Sequence, residues 1–266
     1  MKAGLPKKSA APILDLAVYC DSFWDKVQIN CIIEYKNLGK TFFSTQNLMT
    51  QSQQIIIDST LPFVKEILLE AEGGHDWWHT SRVWNLAKTI AREEPCDHFV
   101  VELGALLHDI ADAKFHDGDE SLGTVLAGDF LETHNVNPGV VEHVQNIILH
   151  VSFRERKNNR FKSAELEIIQ DADRLDAMGA IGIARTFNYG GYKNREIYNP
   201  EIPARPEMTK EEYKNSAAPT INHFYEKLLL LKDLMNTKTG KAMAQRRHQF
   251  MEHFLDEFYG EWQGRI

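Results

Sequence analysis

Leu103 to His116 reads LGALLHDIADAKFH. An apolar helical run, Leu103-Gly104-Ala105-Leu106-Leu107, ends in His108-Asp109, so two side chains able to ligate a metal stand at the inner end of a hydrophobic segment. An unpaired carboxylate buried there costs several kcal/mol or must protonate. A divalent cation is a suitable partner, because imidazole and carboxylate both ligate one. The dipeptide alone fits equally well a His-Asp pair in which Asp109 caps or bridges locally, so the reading turns on ligands elsewhere in the chain.

The 266 residues are 43% hydrophobic and 26% charged, a globular composition. No apolar run approaches the roughly 20 residues of a membrane span. A net charge of −8 offers no footprint for nucleic acid or an anionic membrane. It still permits an anionic substrate, because a metal and a few cations can reverse the field inside a cleft. Cys20, Cys31 and Cys96 are scattered, with no CxxC pair or disulfide framework, and no secretory apolar region opens the chain. A reducing, cytoplasmic setting follows as the expectation.

Residues 1–48 differ in character from the rest. They hold two short strand-like runs, Ile29–Ile33 and Thr41–Phe43, without a sustained period. They are read either as an added arm or subdomain, or as an over-extended reading frame with Met49 as the natural start. From Met49 the pattern is helical. Ser59 is a candidate N-cap with Pro62 in the first turn, and Gly73-Gly74 ends that helix. Further helices are expected over about 75–91, 96–110, 121–134, 140–150, 164–186, 218–235 and 241–262, with loops at 151–163 and 187–209. Period-two alternation is nearly absent, so the fold class is all-α, a helical bundle with residues 49–266 as one domain.

Four side chains form a candidate metal set: His79, His108, Asp109 and Asp173. His79, Val83, Leu86 and Ile90 recur with helical spacing, which puts His79 on a buried stripe. Asp173 shares a face with Ile169, Ala172, Ala177 and Ala180. Two imidazoles and two carboxylates make a mixed N/O site for one divalent ion: Mn²⁺, Mg²⁺, Co²⁺, Ni²⁺ or Zn²⁺. His75 competes with His79, Asp171 competes with Asp173, and Asp176 lies near both aspartates. Arg174 is placed to pair with one of them.

These blocks resemble the HD-domain metal-dependent phosphohydrolase superfamily, whose pattern is H…HD…D on a helical core. HxxRV matches His79 to Val83, ALLHDI matches Ala105 to Ile110, and A-D-(K/R)-L matches Ala172 to Leu175. The last match selects Asp173 over Asp171. More narrowly, HDWxHxxRV, HDIxDxKF and DADRLDAxGAIGIAR are similar to a bacterial branch that includes (deoxy)nucleoside triphosphate pyrophosphohydrolases. The likeness spans about Met49 to Trp262 and leaves out residues 1–48.

The resemblance implies hydrolysis of a nucleotide at a metal-activated water, with (d)NTP cleaved to (d)NMP and pyrophosphate. Expected roles follow. Asp109, Asp112 and Lys114 are catalytic, Asp112 as an acid/base or supporting group. Arg82, Lys114, Arg174, Arg185 and His150 face the substrate. The 187–209 loop is a candidate lid whose Tyr189, Tyr192 and Tyr198 suit stacking on a base. The acidic run His116–Glu120 flanks the cleft. The expected partner is a small nucleotide, with a homo-oligomer left open. Alternatives are a phosphodiesterase or alarmone hydrolase of the same superfamily, or a non-catalytic nucleotide- or metal-binding regulator. The adjacent Glu-Asp pair of the alarmone branch is missing from Ile110-Ala111-Asp112-Ala113, and an intact ligand set disfavours the regulator.

Overall fold

The computed structural model describes residues 49–71, 74–110, 122–151, 161–205 and 218–266. Residues 1–48 lie outside them, as do Asp112, Lys114 and the acidic run. Asn47–Ile266 groups into one compact unit. Its order is α1 (Gln51–Ile67), a 3-10 turn (Leu68–Glu70), α2 (Trp77–Ala91), α3 (His98–Leu107), α4 (Leu122–Thr133) and α5 (Pro138–His150), followed by α6 (Ala164–Asp176), α7 (Gly179–Tyr192), the short α8 (Asn222–Glu226), a 3-10 segment (Leu228–Leu234) and α9 (Lys238–Trp262). Among the described residues there is no strand, as the missing period-two pattern implies. None of the described helices is long and apolar enough to cross a membrane.

The centre is α3. Every residue from Phe99 to Leu107 is buried, Glu102 among them, so this helix must be wrapped on all sides by others. It packs on α1, α2, α5 and α6. Gly104 allows the close approach to α6 and α5, since a Cβ there would lie 2.6 Å from Ile169 Cδ1 and 3.3 Å from Ile147 Cδ1. Asp97 caps the start through Phe99 N and Val100 N. The helix ends at Leu107, with His108 as its C-cap, so His108 and Asp109 stand in the turn where α3 leaves the core.

Several expected boundaries move, each for a local reason. The first helix starts at Gln51, because Thr50 and Gln53 form a capping box. Ser59 is then mid-helix, its Oγ donating to Ile55 O at 2.9 Å, and Pro62 is carried inside the helix. The expected 164–186 helix is two. Met178 is extended (φ −117°, ψ 162°) and Gly179 is left-handed (φ +69°), a conformation cheap only for glycine. The expected 187–209 loop is helical up to Tyr192. The expected 218–235 helix breaks at Lys227 (φ −145°), and the leucine run continues as a 3-10 segment. Three residues per turn align Leu228 and Leu231, both buried.

Asp171 shows how the C-terminal helix is fixed to this bundle. Fully buried, it accepts from Asn236 N at 2.9 Å, Thr237 N at 2.8 Å and Thr237 Oγ1 at 2.9 Å, and from Arg174 Nη1 at 3.3 Å. A carboxylate thus sits at the positive N-terminal end of α9. Arg174 also donates to Leu234 O (2.8 Å) and Gln170 Oε1 (3.2 Å). Asp171→Ala removes the buried carboxylate that joins Arg174 to the start of α9 and uncaps that helix, and is expected to destabilise the protein by about 3–5 kcal/mol. A urea unfolding midpoint within error of the wild type would show that this network carries no stability.

Candidate metal centre

Three segments converge: the start of α2, the turn after α3 and the end of α6. Asp76 caps α2, accepting from His79 N at 2.8 Å, which places His79 in the first turn facing inward and 2% exposed. His79 Nε2 lies 3.5 Å from Asp173 Oδ1 and 3.8 Å from Asp109 Oδ2. These separations are long for hydrogen bonds. They match the spacing of two ligand atoms on one ion, each about 2.1 Å from it and therefore about 3–4 Å from each other. The His79 and His108 rings meet edge-on at 5.5 Å. One ligand atom from each of His79, His108 and Asp173 falls within 4.8 Å of the others, and the same holds for His75, His79 and Asp109.

The imidazoles are oriented for ligation. His79 Nδ1 lies 2.8 Å from Asp176 Oδ2 and His108 Nδ1 lies 2.9 Å from Ala105 O. An ionised carboxylate and a carbonyl only accept, so each Nδ1 carries the proton and donates, leaving the Nε2 lone pair available. His108 Nε2 is buried without a hydrogen-bond partner. Such an orphan is costly, and a metal ion is the group that would satisfy it.

His75 Nδ1 donates to Asp109 Oδ2 at 2.5 Å. Burial pushes the Asp109 carboxyl up, but the hydrogen bond from His75, with the imidazoles of His108 and His79 close by, outweighs it and holds the group well below the usual carboxylate range. Asp176 behaves alike: burial raises it, while hydrogen bonds from His79 and Arg82 and the charge of Arg185 pull it well below. Arg82 Nε and Nη2 reach its two oxygens at 2.6 and 3.0 Å. Arg185 Nη1 reaches Oδ2 at 2.5 Å, and its Nη2 donates to Gly74 O at 2.6 Å. A third guanidinium, Arg247 from α9, donates to the adjacent carbonyl of Leu175.

The expected site residues therefore separate. His79, His108, Asp109 and Asp173 come together, with Arg82 and Arg185 one residue away through Asp176. Arg174, expected to face substrate, is turned into the Asp171–Leu234 network, 4% exposed. Asp171, the competitor for ligation, is committed to the α9 N-terminus. His150 Nδ1 bonds Asn146 O at 2.8 Å and its ring rests 5.6 Å from Phe161; among the described residues it makes no hydrogen bond or ion pair to the cluster. Tyr198 is packed against Phe258, Tyr259 and Trp262, so it is not available for stacking. Asp112 and Lys114 lie outside the described residues. The role of Asp176 was not anticipated, and neither was Arg247. A carboxylate five residues after one acid and three after another carries no sequence mark of which histidine it will meet.

The HD domain family matches residues 77–178, the span from α2 through the end of α6. The uncharacterized protein YpgQ of Bacillus subtilis is 39% identical over 195 residues, 73% of this chain and 87% of that protein. An HD-superfamily hydrolase from Bacillus thuringiensis superposes with a TM-score of 0.65 at 43% identity, covering 79% of this chain and 98% of the other. Bacillus subtilis YpgQ in complex with ADP superposes with a TM-score of 0.63 at 32% identity, covering 79% and 96%. The matched span holds His79, His108, Asp109 and Asp173, and on these likenesses the chain belongs to the HD domain family, the HD-superfamily hydrolases, and is a metal-dependent phosphohydrolase.

Proposed function

We propose that His79, His108, Asp109 and Asp173 hold one divalent cation, and that the site hydrolyses nucleotides, cleaving a (d)NTP to (d)NMP and pyrophosphate. The observation that carries the ligand assignment is the pair of imidazoles whose Nδ1 protons are tied, one of them with an orphaned buried Nε2. A nucleotide substrate is supported by the ADP complex of the relative YpgQ. The N/O donor set suits Mn²⁺, Mg²⁺, Co²⁺, Ni²⁺ or Zn²⁺.

When bound, such an ion lowers the pKa of a water and polarises a phosphoryl oxygen. The residues of the chain do the rest. His75 holds the Asp109 carboxylate in one orientation and keeps it ionised. Asp176 fixes the His79 tautomer, as carboxylates behind metal-binding histidines do. Arg82 and Arg185 are 34% and 28% exposed, so they stand at the surface with donors left to receive phosphate oxygens. Phosphoryl transfer depends mainly on positioning and electrostatic stabilisation, which paired guanidiniums supply.

Stripping the protein with chelator and adding back each cation separately, against a panel of NTPs, dNTPs, monophosphates, cyclic nucleotides and guanosine tetraphosphate, tests the reading. The expected products are pyrophosphate and a monophosphate, lost in His108→Ala and Asp109→Ala. Free phosphate from monophosphates would move the reading to a nucleotidase, and no turnover with any metal would sink it. Asp173→Ala is expected to abolish Mn²⁺ binding by calorimetry. Asp176→Asn keeps every ligand but loosens His79, and is expected to weaken the metal about 10–100-fold. Unchanged affinity in Asp176→Asn would refute the positioning role.

A further inference from the structure

Two adjacent tryptophans open α2, and they part company. Trp77 packs against the core, and Lys65 Nζ sits 4.7 Å over its ring. Trp78 is 67% exposed and makes no ring or cation contact among the described residues. Exposing a large indole forgoes a substantial apolar burial. Its location is specific: it is the residue before His79 and lies one helical turn from Arg82 at i+4, so it shares Arg82's stripe on the helix surface.

The half-exposed members of the site, His75, Asp173, Arg82 and Arg185, mark where the cluster opens to solvent. Trp78, one turn before Arg82 on the same stripe of α2, is exposed beside that arginine's position. On α7, Tyr189 follows Arg185 by one turn and is also exposed. Its ring, however, is already approached by Lys193 Nζ at 5.6 Å and Arg195 Cζ at 5.7 Å. The Trp78 ring is the uncommitted one. A flat apolar face next to guanidiniums and a phosphate-cleaving centre is complementary to a molecule with an aromatic base at one end and phosphates at the other.

We propose that Trp78 is the seat of the nucleobase. The base stacks on the indole while the phosphates reach Arg82, Arg185 and the metal cluster. This rests on the nucleotide reading above and adds to it the residue that separates nucleotides from phosphates lacking a base. Stacking accepts any base, so the seat selects for the presence of a base and not for its identity.

Calorimetric titration of the full chain with ADP and with inorganic pyrophosphate, which keeps the phosphates and omits the base, tests this in wild type, Trp78→Ala, Trp78→Phe and Tyr189→Ala. Trp78→Ala is expected to weaken ADP about tenfold and leave pyrophosphate within about twofold, with Trp78→Phe recovering most of the loss and Tyr189→Ala neutral. In the nucleotide assay the same change should appear in KM and not in kcat. Equal loss of both probes in Trp78→Ala, loss confined to Tyr189→Ala, or wild-type affinity for ADP no better than for pyrophosphate would each overturn the seat. So would a Trp78→Ala protein that binds ADP normally but changes its oligomeric state, which would assign the indole to a contact between copies. Wild-type hydrolysis of nucleotides with an unaffected Trp78→Ala overturns the seat alone; absent hydrolysis in the wild type overturns the reading beneath it.

Discussion

A single carboxylate, Asp176, carries the constraint on which the site depends. It is 1% exposed, and an isolated charge at that depth would cost several kcal/mol. It is tolerated because three side chains from two other helices satisfy it: His79 and Arg82 from α2, and Arg185 from α7. The same contacts that stabilise the charge set the tautomer of His79. The frame that stabilises the centre and the chemistry it supports are therefore one set of hydrogen bonds.

That convergence needs the chain to turn where it does. Asp176 and Arg185 are nine residues apart, which in an unbroken helix would separate them by roughly 13 Å along the axis. The left-handed Gly179 breaks the run and lets α7 fold back on the last turn of α6. Arg185 then reaches both the carboxylate and the carbonyl of Asp176, and Arg247 takes the Leu175 carbonyl. Two guanidiniums thereby cap the negative end of the α6 dipole. The three aspartates of α6 divide their work by helical angle. At about 100° per residue, Asp173 and Asp176 stand roughly 60° apart, while Asp171 is about 140–160° from either. Asp171 accordingly meets α9, and the other two meet α2 and the cluster.

The all-α class and the inward face of His79 were readable in the sequence because both rest on local rules, whereas the choice of Asp173 over Asp171 came from the family pattern. Helical spacing put His79 on a buried stripe, and an apolar run ending in His108-Asp109 put charge where it had to be paired. What stayed illegible depends on long-range partners. Nothing adjacent to Asp176 says that Arg82, some ninety residues earlier, will meet it. Arg174 looked like a substrate cation because it neighbours a ligand, but its direction is set by Leu234 and Asn236 through Asp171. The single helix expected over 164–186 failed at Met178-Gly179, since small apolar residues around them keep the helical pattern while their backbone angles do not. Ser59 was a candidate cap, overruled by the Thr50–Gln53 box, whose cap residue lies nine residues upstream.

Local charge explains how a chain of net charge −8 can serve an anionic substrate. Around the cluster, among the described residues, Arg82, Arg185 and Arg247 offset most of the charge of Asp76, Asp109, Asp173 and Asp176. Under the proposed reading a divalent cation then leaves the centre net positive in a partly buried setting, where charge is weakly screened. A polyphosphate entering this centre then meets local attraction despite the net charge of the chain. The guanidiniums are pre-positioned by a carboxylate that cannot leave, so little reorganisation is needed when phosphate arrives. Had the same arginines been left free in solvent, their rotamer entropy would have to be lost at each binding event. Tying them to Asp176 places that loss in folding, so under the proposed reading the group that orients His79 also holds the cations that meet phosphate.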